Sequence, residues 1–266
     1  MKFLRYPGGK SKLLSFLIKY LPESKEIRGN YIEPFIGGGS VFFHISPESA
    51  LISDINTELI TLYKGIQLYP HKVWETFESF PPGKIGYYHI RDTNVINKPM
   101  YYKAARTLYL NRTCFKGMWR HNRNGDFNVG YGGEDRRWVI THNNIVELSK
   151  IFRKANIVNS DFESVITSAS KNDFIFLDPP YKPGERELVE LHYCNGKFLY
   201  DEHVRLAETL KNLPKGKHIK WAMTNSSHID ILKLYKDYRV TKIPFGTSGR
   251  PGILTKTSGE VLITNY

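Results

Sequence analysis

Short apolar runs and helical periodicity alternate along most of the chain. Near the N-terminus, apolar residues recur at the three- and four-residue spacing of an amphipathic helix, with Ser11 as its expected N-cap. Apolar runs bounded by turn residues predict strands over residues 31–35, 50–55, 156–159, 174–177, 219–223, 238–243 and 260–264. Between them we predict helices capped by Asn56 and Asp201, and further helices after Asp161 and after Ser226.

This alternation predicts an α/β fold built on a doubly wound, mostly parallel sheet. The last two predicted strands have no helix between them, so we expect an antiparallel pair at one edge of the sheet. The alternation is interrupted over residues 65–150, which hold most of the Pro-Pro, Tyr-Tyr and arginine-rich sequence. We therefore predict one domain formed by residues 1–64 and 151–266, and an inserted, mainly helical domain with a β-hairpin over residues 65–150.

Glycines and an acid follow the first two predicted strands, where ligands of such sheets bind. Gly37, Gly38 and Gly39 come after the first strand, and Asp54 ends the second. Glycines permit a sharp turn and a close approach of a ligand, and an acid after the next strand commonly accepts hydrogen bonds from ribose hydroxyls. The combination indicates a cofactor that contains a nucleoside. A plain tight turn is the alternative explanation of the glycines.

The segment Asp178-Pro179-Pro180-Tyr181 follows the fourth predicted strand. Neither proline has an N–H to donate, so the chain must leave the sheet there as a stiff loop. Asp178 and the Pro179 carbonyl would then present two acceptors in fixed geometry, which suits an amine with two N–H donors, and Tyr181 offers a ring for stacking. The alternative is a rigid strand exit with a surface aromatic residue.

The charge of the chain favours nucleic acid as a partner. There are 38 basic and 26 acidic residues, for a net charge of +12, and phosphates attract such a surface. A merely soluble basic protein is the alternative.

Residues 99–137 concentrate this charge, with eight basic and three acidic residues and several interleaved aromatic residues. The basic residues are Lys103, Arg106, Arg112, Lys116, Arg120, Arg123, Arg136 and Arg137. Asn124-Gly125 predicts a two-residue hairpin turn, and a basic hairpin fits the major groove of DNA, where arginine commonly contacts guanine. A solvated cationic hairpin with its own small core is the alternative.

Several classes of site are not expected. The two cysteines fit a reducing compartment and cannot form a zinc site alone, and the nine histidines show no metal-ligand spacing. His121 is expected to be an ordinary exposed histidine, with a phosphate contact as the alternative. No apolar run approaches the roughly 18 residues of a membrane span, and no leader is evident, so we expect a cytoplasmic location.

The motifs together resemble a known family. Phe35-Ile36-Gly37-Gly38-Gly39-Ser40 with Asp178-Pro179-Pro180-Tyr181 resembles the glycine and catalytic motifs of class-alpha adenine-amino DNA methyltransferases, the Dam-like group. Tyr6-Pro7-Gly8-Gly9-Lys10 is similar to the aromatic-x-Gly-Gly-Lys element of that family. Residues 110–117, with Arg120 and residues 125–129, are similar to its target-recognition segment. The order of the motifs also fits, and the resemblance spans nearly the whole chain.

The resemblance implies S-adenosylmethionine as the cofactor and methyl transfer to the N6 amine of an adenine flipped out of duplex DNA. The implied catalytic residues are Asp178, Pro179, Pro180 and Tyr181. The implied cofactor pocket comprises Tyr6, Lys10, Phe35, Gly37, Gly39, Asp54, Asp161, Phe162 and Asp178. In that pocket Asp54 would take the ribose hydroxyls and Asp161 the amine of the cofactor's adenine. Lys10 as a surface lysine, and Asp161 as a helix cap, are the alternatives.

The resemblance also implies DNA contacts by Arg5, Arg112, Phe115, Lys116, Arg120 and Arg123. Arg120 is the expected base reader, and Phe115 or Lys116 would fill the gap left by the flipped adenine, although relatives often carry Asn at position 116. The loop over residues 182–200 departs from the Ser/Thr-rich sequence of relatives.

The leading candidate for the recognition site is GATC, and a monomer without metal is expected. The alternatives are an RNA adenine methyltransferase and a DNA-binding module without catalysis.

Overall fold

The computed structural model describes residues 3–6, 8–122, 124–181, 198–244, 246–247, 254–255 and 259–266. These residues form two compact units. The first takes in the described stretches within residues 1–9 and 54–159, and the second those within residues 10–53, 160–190 and 197–266. The predicted insertion, residues 65–150, lies entirely in the first unit. Its division from the rest at residues 64 and 151 stays a prediction.

The strands confirm a mostly parallel sheet. They are β1 (Tyr31–Glu33), β2 (Ala50–Asp54), β3 (Ala155–Asn159), β4 (Phe174–Leu177), β5 (Lys220–Ser226), β6 (Arg239–Lys242), β7 (Gly246–Thr247), β8 (Leu254–Thr255) and β9 (Glu260–Thr264). Within the described residues, seven of them form one sheet in the order β3-β2-β1-β4-β5-β9-β6. β1 pairs in parallel with β2 and β4, and β4 with β5. β9 runs antiparallel to both β5 and β6, as the sequence predicted.

The central strands form because their residues are apolar on both faces. All four residues of β4 are buried, which is typical of a parallel strand covered on both sides. The predicted strand over residues 31–35 ends early, at Glu33, because Pro34 has no N–H for the ladder.

The α-helices are α1 (Leu14–Leu17), α2 (Ser40–Ile45), α3 (Thr57–Leu68), α4 (Pro70–Ser79), α5 (Gly83–Asp92), α6 (Met100–Thr113), α7 (His142–Phe152), α8 (Phe162–Thr167), α9 (Tyr200–Lys211) and α10 (Ile229–Leu234). No α-helix among the described residues is long and apolar enough to cross a membrane. The described part of the chain also holds no group of three or more His, Cys, Asp or Glu residues arranged to bind a metal ion.

The predicted cap Asn56 is confirmed, as is the alternative role of Asp161 as a cap, and the predicted caps Ser11 and Asp201 are wrong. The side chains of Asn56 and Asp161 accept hydrogen bonds from the first turns of α3 and α8. Ser11 lies instead in a 3₁₀ turn, and α1 begins after Leu13. Asp201 lies inside the first turn of α9, where its charge stabilises the positive end of the helix dipole.

The first unit has a helical core in which α3 and α6 approach closely. A Cβ at Gly65 would lie 2.4 Å from the Cβ of Ala104, so only glycine permits this contact. Arg137 is buried there, and its guanidinium donates to the carbonyls of Phe77 and Phe80. These bonds satisfy Nη2 of an arginine that belongs to the basic segment of residues 99–137, while its buried Nε has no partner among the described residues.

The predicted β-hairpin is a chain reversal over residues 120–128, here called the 120–128 reversal. It has a single antiparallel bridge, between His121 and Phe127, and no strand among the described residues. The Asn122 side chain accepts from the backbone N–H groups of Asn124 and Asp126, both at 2.9 Å. These side-chain bonds add to two backbone bonds across the reversal, from the N–H groups of Asn122 and Asn128 to the carbonyls of Asp126 and Arg120 at 2.9 and 3.1 Å.

Asp173 joins the beginnings of two strands in the second unit. Its buried carboxylate accepts from the backbone N–H of Asn30 at 2.6 Å, before β1, and of Ser170 at 2.7 Å, before β4. Asp173→Ala leaves both donors without this acceptor, so we expect a loss of about 2 kcal/mol in the free energy of unfolding. Urea unfolding checks this, with exposed Asp237→Ala as the control. A loss below about 0.5 kcal/mol would contradict the assigned role.

Candidate active site

Asp178 lies at the carboxyl end of β4, beside β5. The register pairs Leu177 with Met223, so the next residues along, Asp178 and Thr224, are neighbours. The Thr224 hydroxyl donates to Oδ1 of Asp178 at 2.7 Å. The position of this carboxylate therefore follows directly from the pairing of two parallel strands.

Lys10 forms a buried ion pair with the same carboxylate oxygen. Its Nζ lies 2.8 Å from Oδ1 of Asp178, and its side chain is only 8% exposed. Burial lowers the pKa of Lys10, but the charge of Asp178, with a contribution from Tyr181, more than offsets this, so the pKa of Lys10 lies above its ordinary value. Lys10 is therefore an ammonium ion paired with Asp178, and the alternative of a surface lysine is wrong.

Glu260 reaches the same edge because β9 is antiparallel. Its first residue, Glu260, pairs with Ser226 at the carboxyl end of β5. Oε2 of Glu260 accepts from the Tyr181 hydroxyl at 3.4 Å. Burial raises the pKa of Glu260 and the charge of Asp178 adds to this, while Lys10 opposes both.

Tyr181 is held at its ring and at its hydroxyl. Nζ of Lys10 lies 4.7 Å from the ring centroid, in the geometry of a cation–π contact. Burial raises the pKa of the Tyr181 hydroxyl, so the side chain is neutral. Lys10, Asp178, Tyr181, Thr224 and Glu260 are together called the Asp178 network below.

The Asp178 network leaves two acceptors for a ligand. Lys10 and Thr224 both bind Oδ1 of Asp178. Within the described residues, no donor contacts Oδ2 or the Pro179 carbonyl. Pro179 itself is buried and Pro180 is half-buried, as expected for a stiff exit from the sheet.

Gly37 and Gly39 form a tight turn between β1 and α2. Both have positive φ, at 44° and 67°, a region that favours glycine. The N–H of Gly39 donates to the Ile36 carbonyl at 2.7 Å, and a Cβ at Gly39 would lie 2.7 Å from the Phe43 ring. The backbone therefore requires glycine at this position, whether or not a ligand approaches it.

Three aromatic rings from separate parts of the second unit pack together. Phe35 follows β1, Phe162 begins α8, and Phe198 precedes α9. The Phe35 ring centroid lies 5.4 Å from that of Phe162 and 5.8 Å from that of Phe198. The first two rings were predicted pocket residues. Phe198 was not, because its segment resembles no motif.

Asp161 is bound by an arginine that the sequence did not single out. Nη1 and Nη2 of Arg205 donate to its two carboxylate oxygens at 2.7 and 2.9 Å. This hydrogen bonding lowers the pKa of Asp161, and the Arg205 guanidinium stacks 4.0 Å over the Phe162 ring. Asp161 also accepts from the Glu163 N–H, so its alternative role as a helix cap is confirmed.

The sequence as a whole identifies the family. Residues 6–244 match the family model described as D12 class N6 adenine-specific DNA methyltransferase. This chain belongs to that family. The resemblance found in the motifs is thereby confirmed, and the chain is an adenine-specific DNA methyltransferase.

Relatives of this methyltransferase extend over its whole length. The Type II methyltransferase M1.LlaDCHI of Lactococcus lactis subsp. cremoris is 30% identical, over 99% of this chain and 95% of its own. The Type II methyltransferase M.MjaIII of Methanocaldococcus jannaschii is 32% identical, over 99% and 98%. A DNA adenine methylase of Vibrio cholerae is 27% identical, over 88% and 84%.

Arg112 of the methyltransferase lies in the interior of the first unit. It is 3% exposed, and its Nε donates to the Arg136 carbonyl at 2.7 Å. Burial lowers the pKa of Arg112 to about 10, with the charges of Arg5 and Arg136 adding to this. Its placement argues against the predicted direct contact with DNA, and Arg112 instead supports neighbouring backbone.

The other predicted DNA contacts are more accessible. Arg5 is half-buried. Its backbone N–H donates to Oδ1 of Asn111, and its carbonyl accepts from Nδ2 of the same side chain. Phe115 is 48% exposed, and Arg120 is exposed and donates to Asn128 Oδ1 at 2.9 Å. Arg123 lies outside the described residues, as does the loop over residues 182–197.

Lys116 adopts a left-handed backbone conformation. Its φ is 53°. Among residues other than glycine, asparagine enters this region most readily, so the backbone at position 116 would also suit asparagine. The Lys116 amine lies 5.0 Å from the Phe115 ring centroid.

Tyr6 and Asp54 belong to the first unit of the methyltransferase. The Tyr6 ring lies 5.4 Å from Trp119. Oδ1 of Asp54 accepts from the Asn56 N–H at 2.9 Å, and its carbonyl accepts from Asn159 at 2.8 Å. Their contacts with a cofactor stay predictions.

Proposed function

We propose that this methyltransferase transfers the methyl group of S-adenosylmethionine to N6 of an adenine flipped out of duplex DNA, with GATC as the leading candidate site. The observation that carries the proposal is the Asp178 network. Lys10 and Thr224 fix one oxygen of Asp178, and the other oxygen and the Pro179 carbonyl remain as acceptors. The proposed form of the enzyme is a cytoplasmic monomer that acts without a metal ion.

The two acceptors prepare the amine of adenine for attack. The nitrogen lone pair is normally delocalised into the ring. When Asp178 and the Pro179 carbonyl accept hydrogen bonds from the two amine hydrogens, these bonds favour a tetrahedral nitrogen. Its lone pair is then available to attack the methyl carbon. The bound cofactor would supply the methyl group: an N–C bond would form as the C–S bond breaks, the sulfur would keep the bonding pair, and the acidic methylated amine would release one proton to water. Positioning and electrostatics account for the rate enhancement.

The Asp178 network would also contact the flipped adenine. The Lys10 ammonium forms an ion pair with Asp178, and Tyr181 is held at its ring and at its hydroxyl. An extruded base requires a stacking partner, and we assign that role to the Tyr181 ring. The rigid backbone at Pro179 and Pro180 would keep Asp178 and the Pro179 carbonyl in place when the adenine binds.

The residues of the second unit fit the proposed cofactor. When bound, S-adenosylmethionine supplies a methyl group already activated on a sulfonium. The turn over Gly37 and Gly39 can admit a ligand close to its backbone, and the half-buried Phe35 offers a ring surface to a purine, with the buried Phe162 ring packed beside it. Oδ2 of Asp161 accepts a hydrogen bond from Arg205 and retains a lone pair for an adenine amine. Tyr6 and Asp54 complete the proposed set.

DNA would be held mainly by the first unit. Arg120 and Phe115 are exposed, and they are the proposed base reader and the proposed residue that fills the gap, with Lys116 and Arg123 on the same segment. Arg5 is assigned to an outer base. A basic surface aimed at a major groove favours duplex DNA over duplex RNA, whose major groove is too narrow.

The proposal is tested by supplying the enzyme with S-adenosylmethionine that carries a labelled methyl group and unmethylated plasmid DNA. We expect label in N6-methyladenine and protection from a restriction enzyme blocked by GATC methylation. Label in adenine without this protection would keep the activity and reject the site. A matched reaction with structured RNA is the control, and label there but not in DNA would overturn the proposal.

A further inference from the structure

His121 does not lie exposed on the 120–128 reversal, as the sequence predicted. Its side chain is only 7% exposed, and Nε2 lies 2.9 Å from Oε2 of Glu58. A carboxylate only accepts, so Nε2 carries the proton of this bond. The ring also meets Phe127 edge-on, with centroids 5.6 Å apart. The expectation was wrong because the sequence does not show that α3 passes beside this residue.

Glu58 is itself fixed from two sides. It lies in the first turn of α3, after the Asn56 cap. Its other carboxylate oxygen, Oε1, lies 3.8 Å from Nη1 of Arg106, a residue of α6 that is 7% exposed. Arg106 in turn donates from Nε to the Ile90 carbonyl at 3.0 Å. Glu58 is therefore a rigid anchor, connected to three helices of the first unit.

The 120–128 reversal needs such an anchor because its own backbone bonds are internal to it. They are the bonds from the N–H groups of Asn122, Gly125 and Asn128 to the carbonyls of Asp126, Asn122 and Arg120, at 2.9, 3.0 and 3.1 Å. Its residues Arg120, Asn122 and Asn124 are exposed. Bonds within the reversal fix its shape but not its place on the first unit, so side-chain contacts with a helix are needed to position it.

We propose that Glu58 and His121 are positioning residues for DNA recognition, which hold the 120–128 reversal so that Arg120 meets its base. The inference rests on the proposed function and deepens it. His121 is the chain neighbour of Arg120, whose guanidinium is oriented further by Asn128. A base contact by arginine depends on a fixed distance and angle, so loss of the Glu58 anchor would weaken recognition without touching the Asp178 network.

Asp54, a proposed cofactor contact in the same unit, provides a comparison with the Glu58–His121 pair. Asp54 is only four residues before Glu58, but its carboxylate and carbonyl accept hydrogen bonds from Asn56 and Asn159, and neither of these two bonds involves Glu58 or His121. Loss of the Glu58–His121 bond should therefore leave the affinity for S-adenosylmethionine unchanged. A merely structural role for the pair would instead affect both substrates and the stability of the fold.

The test is steady-state methylation of plasmid DNA by the full chain and by Glu58→Ala, His121→Ala, the double variant and His121→Gln. For each alanine variant we expect KM for DNA to rise about 10-fold, with kcat and KM for S-adenosylmethionine within about 2-fold of wild type. The double variant should be no worse than the single ones, because the two residues act through one bond. His121→Gln keeps an N–H donor and should recover most of the loss.

Exposed His89→Ala and Glu75→Ala, in the same unit, are the matched controls and should behave as wild type. An unchanged KM for DNA in His121→Ala would overturn this inference alone, as would additive losses in the double variant. A fall in Tm or in the fraction of enzyme that binds S-adenosylmethionine, sufficient to explain the loss, would also overturn it. Absence of methyl transfer by the wild-type chain would instead overturn the proposed function, and this inference with it.

Discussion

Asp178→Ala is expected to lower methyl transfer by about 10³-fold or more while leaving duplex DNA binding largely intact. Removing one preorganised partner of a developing charge typically costs between ~10² and ~10³ in rate, and Asp178 is here both acceptor and anchor of the network. The variant removes the acceptor and leaves the Lys10 ammonium buried without its carboxylate. Single-turnover transfer at saturating substrates measures the effect, and DNA binding is measured separately by fluorescence anisotropy.

Asp178→Asn separates geometry from charge. The amide keeps one acceptor oxygen for Lys10 or Thr224, but its NH₂ group cannot accept from the amine of adenine. We therefore expect a loss nearly as large as that of the alanine variant. Asp237→Ala, an exposed carboxylate of the second unit, is the control and should be fully active. Near-normal turnover by Asp178→Ala would exclude this residue as the amine acceptor.

The positions of the main catalytic segment were predictable because the relevant signals are local. β4 occupies residues 174–177 as predicted, since an unbroken apolar run ends there at an acid and two prolines. The antiparallel arrangement of the last strands was also predictable, because no helical pattern separates them. In both cases the features that determine the structure lie in residues that are neighbours in the sequence.

The partners of Asp178 could not be predicted in the same way. Thr224 lies beside it through the register of β4 and β5, and Glu260 through the direction of β9. Arg205 reaches Asp161 from a helix that begins almost forty residues later. Such contacts depend on which strands and helices become neighbours in the fold. The pattern of residues along the chain does not determine this. An acid that begins an antiparallel last strand was nevertheless an available signal for Glu260.

Burial of charged residues was the other property that the sequence did not show. Arg112 and His121 both lie in a basic, aromatic stretch that suggested a solvated surface facing DNA. In the structure Arg112 is buried and donates from Nε to the Arg136 carbonyl, while its Nη2 has no partner among the described residues, and His121 pairs with Glu58. The DNA contact of Arg112 stays a prediction. Composition gives the net charge of a segment, but only packing shows which of its charges remain available to a phosphate or a base.

Lys10→Met is expected to lower transfer at neutral pH by about 10²-fold and to shift the pH dependence. Lys10 lowers the pKa of Glu260, against burial and Asp178, which raise it. Without the ammonium, the pKa of Glu260 rises further, so Glu260 takes up its proton at a higher pH than in the wild type. We expect transfer to need an ionised Glu260, which accepts from the Tyr181 hydroxyl, so the acidic limb of the rate profile moves to higher pH and activity partly recovers as the pH is raised.

Single-turnover rates between about pH 6 and pH 9.5, at saturating DNA and S-adenosylmethionine, measure this shift. Lys12→Met, in the same 3₁₀ turn, is the control and should keep the wild-type profile. A uniform loss of rate with an unmoved acidic limb would mean that Lys10 acts by packing and by its contact with the Tyr181 ring alone. A limb displaced to lower pH would contradict the electrostatic role of Lys10 outright, since removing a cation cannot favour ionisation of the carboxylates beside it.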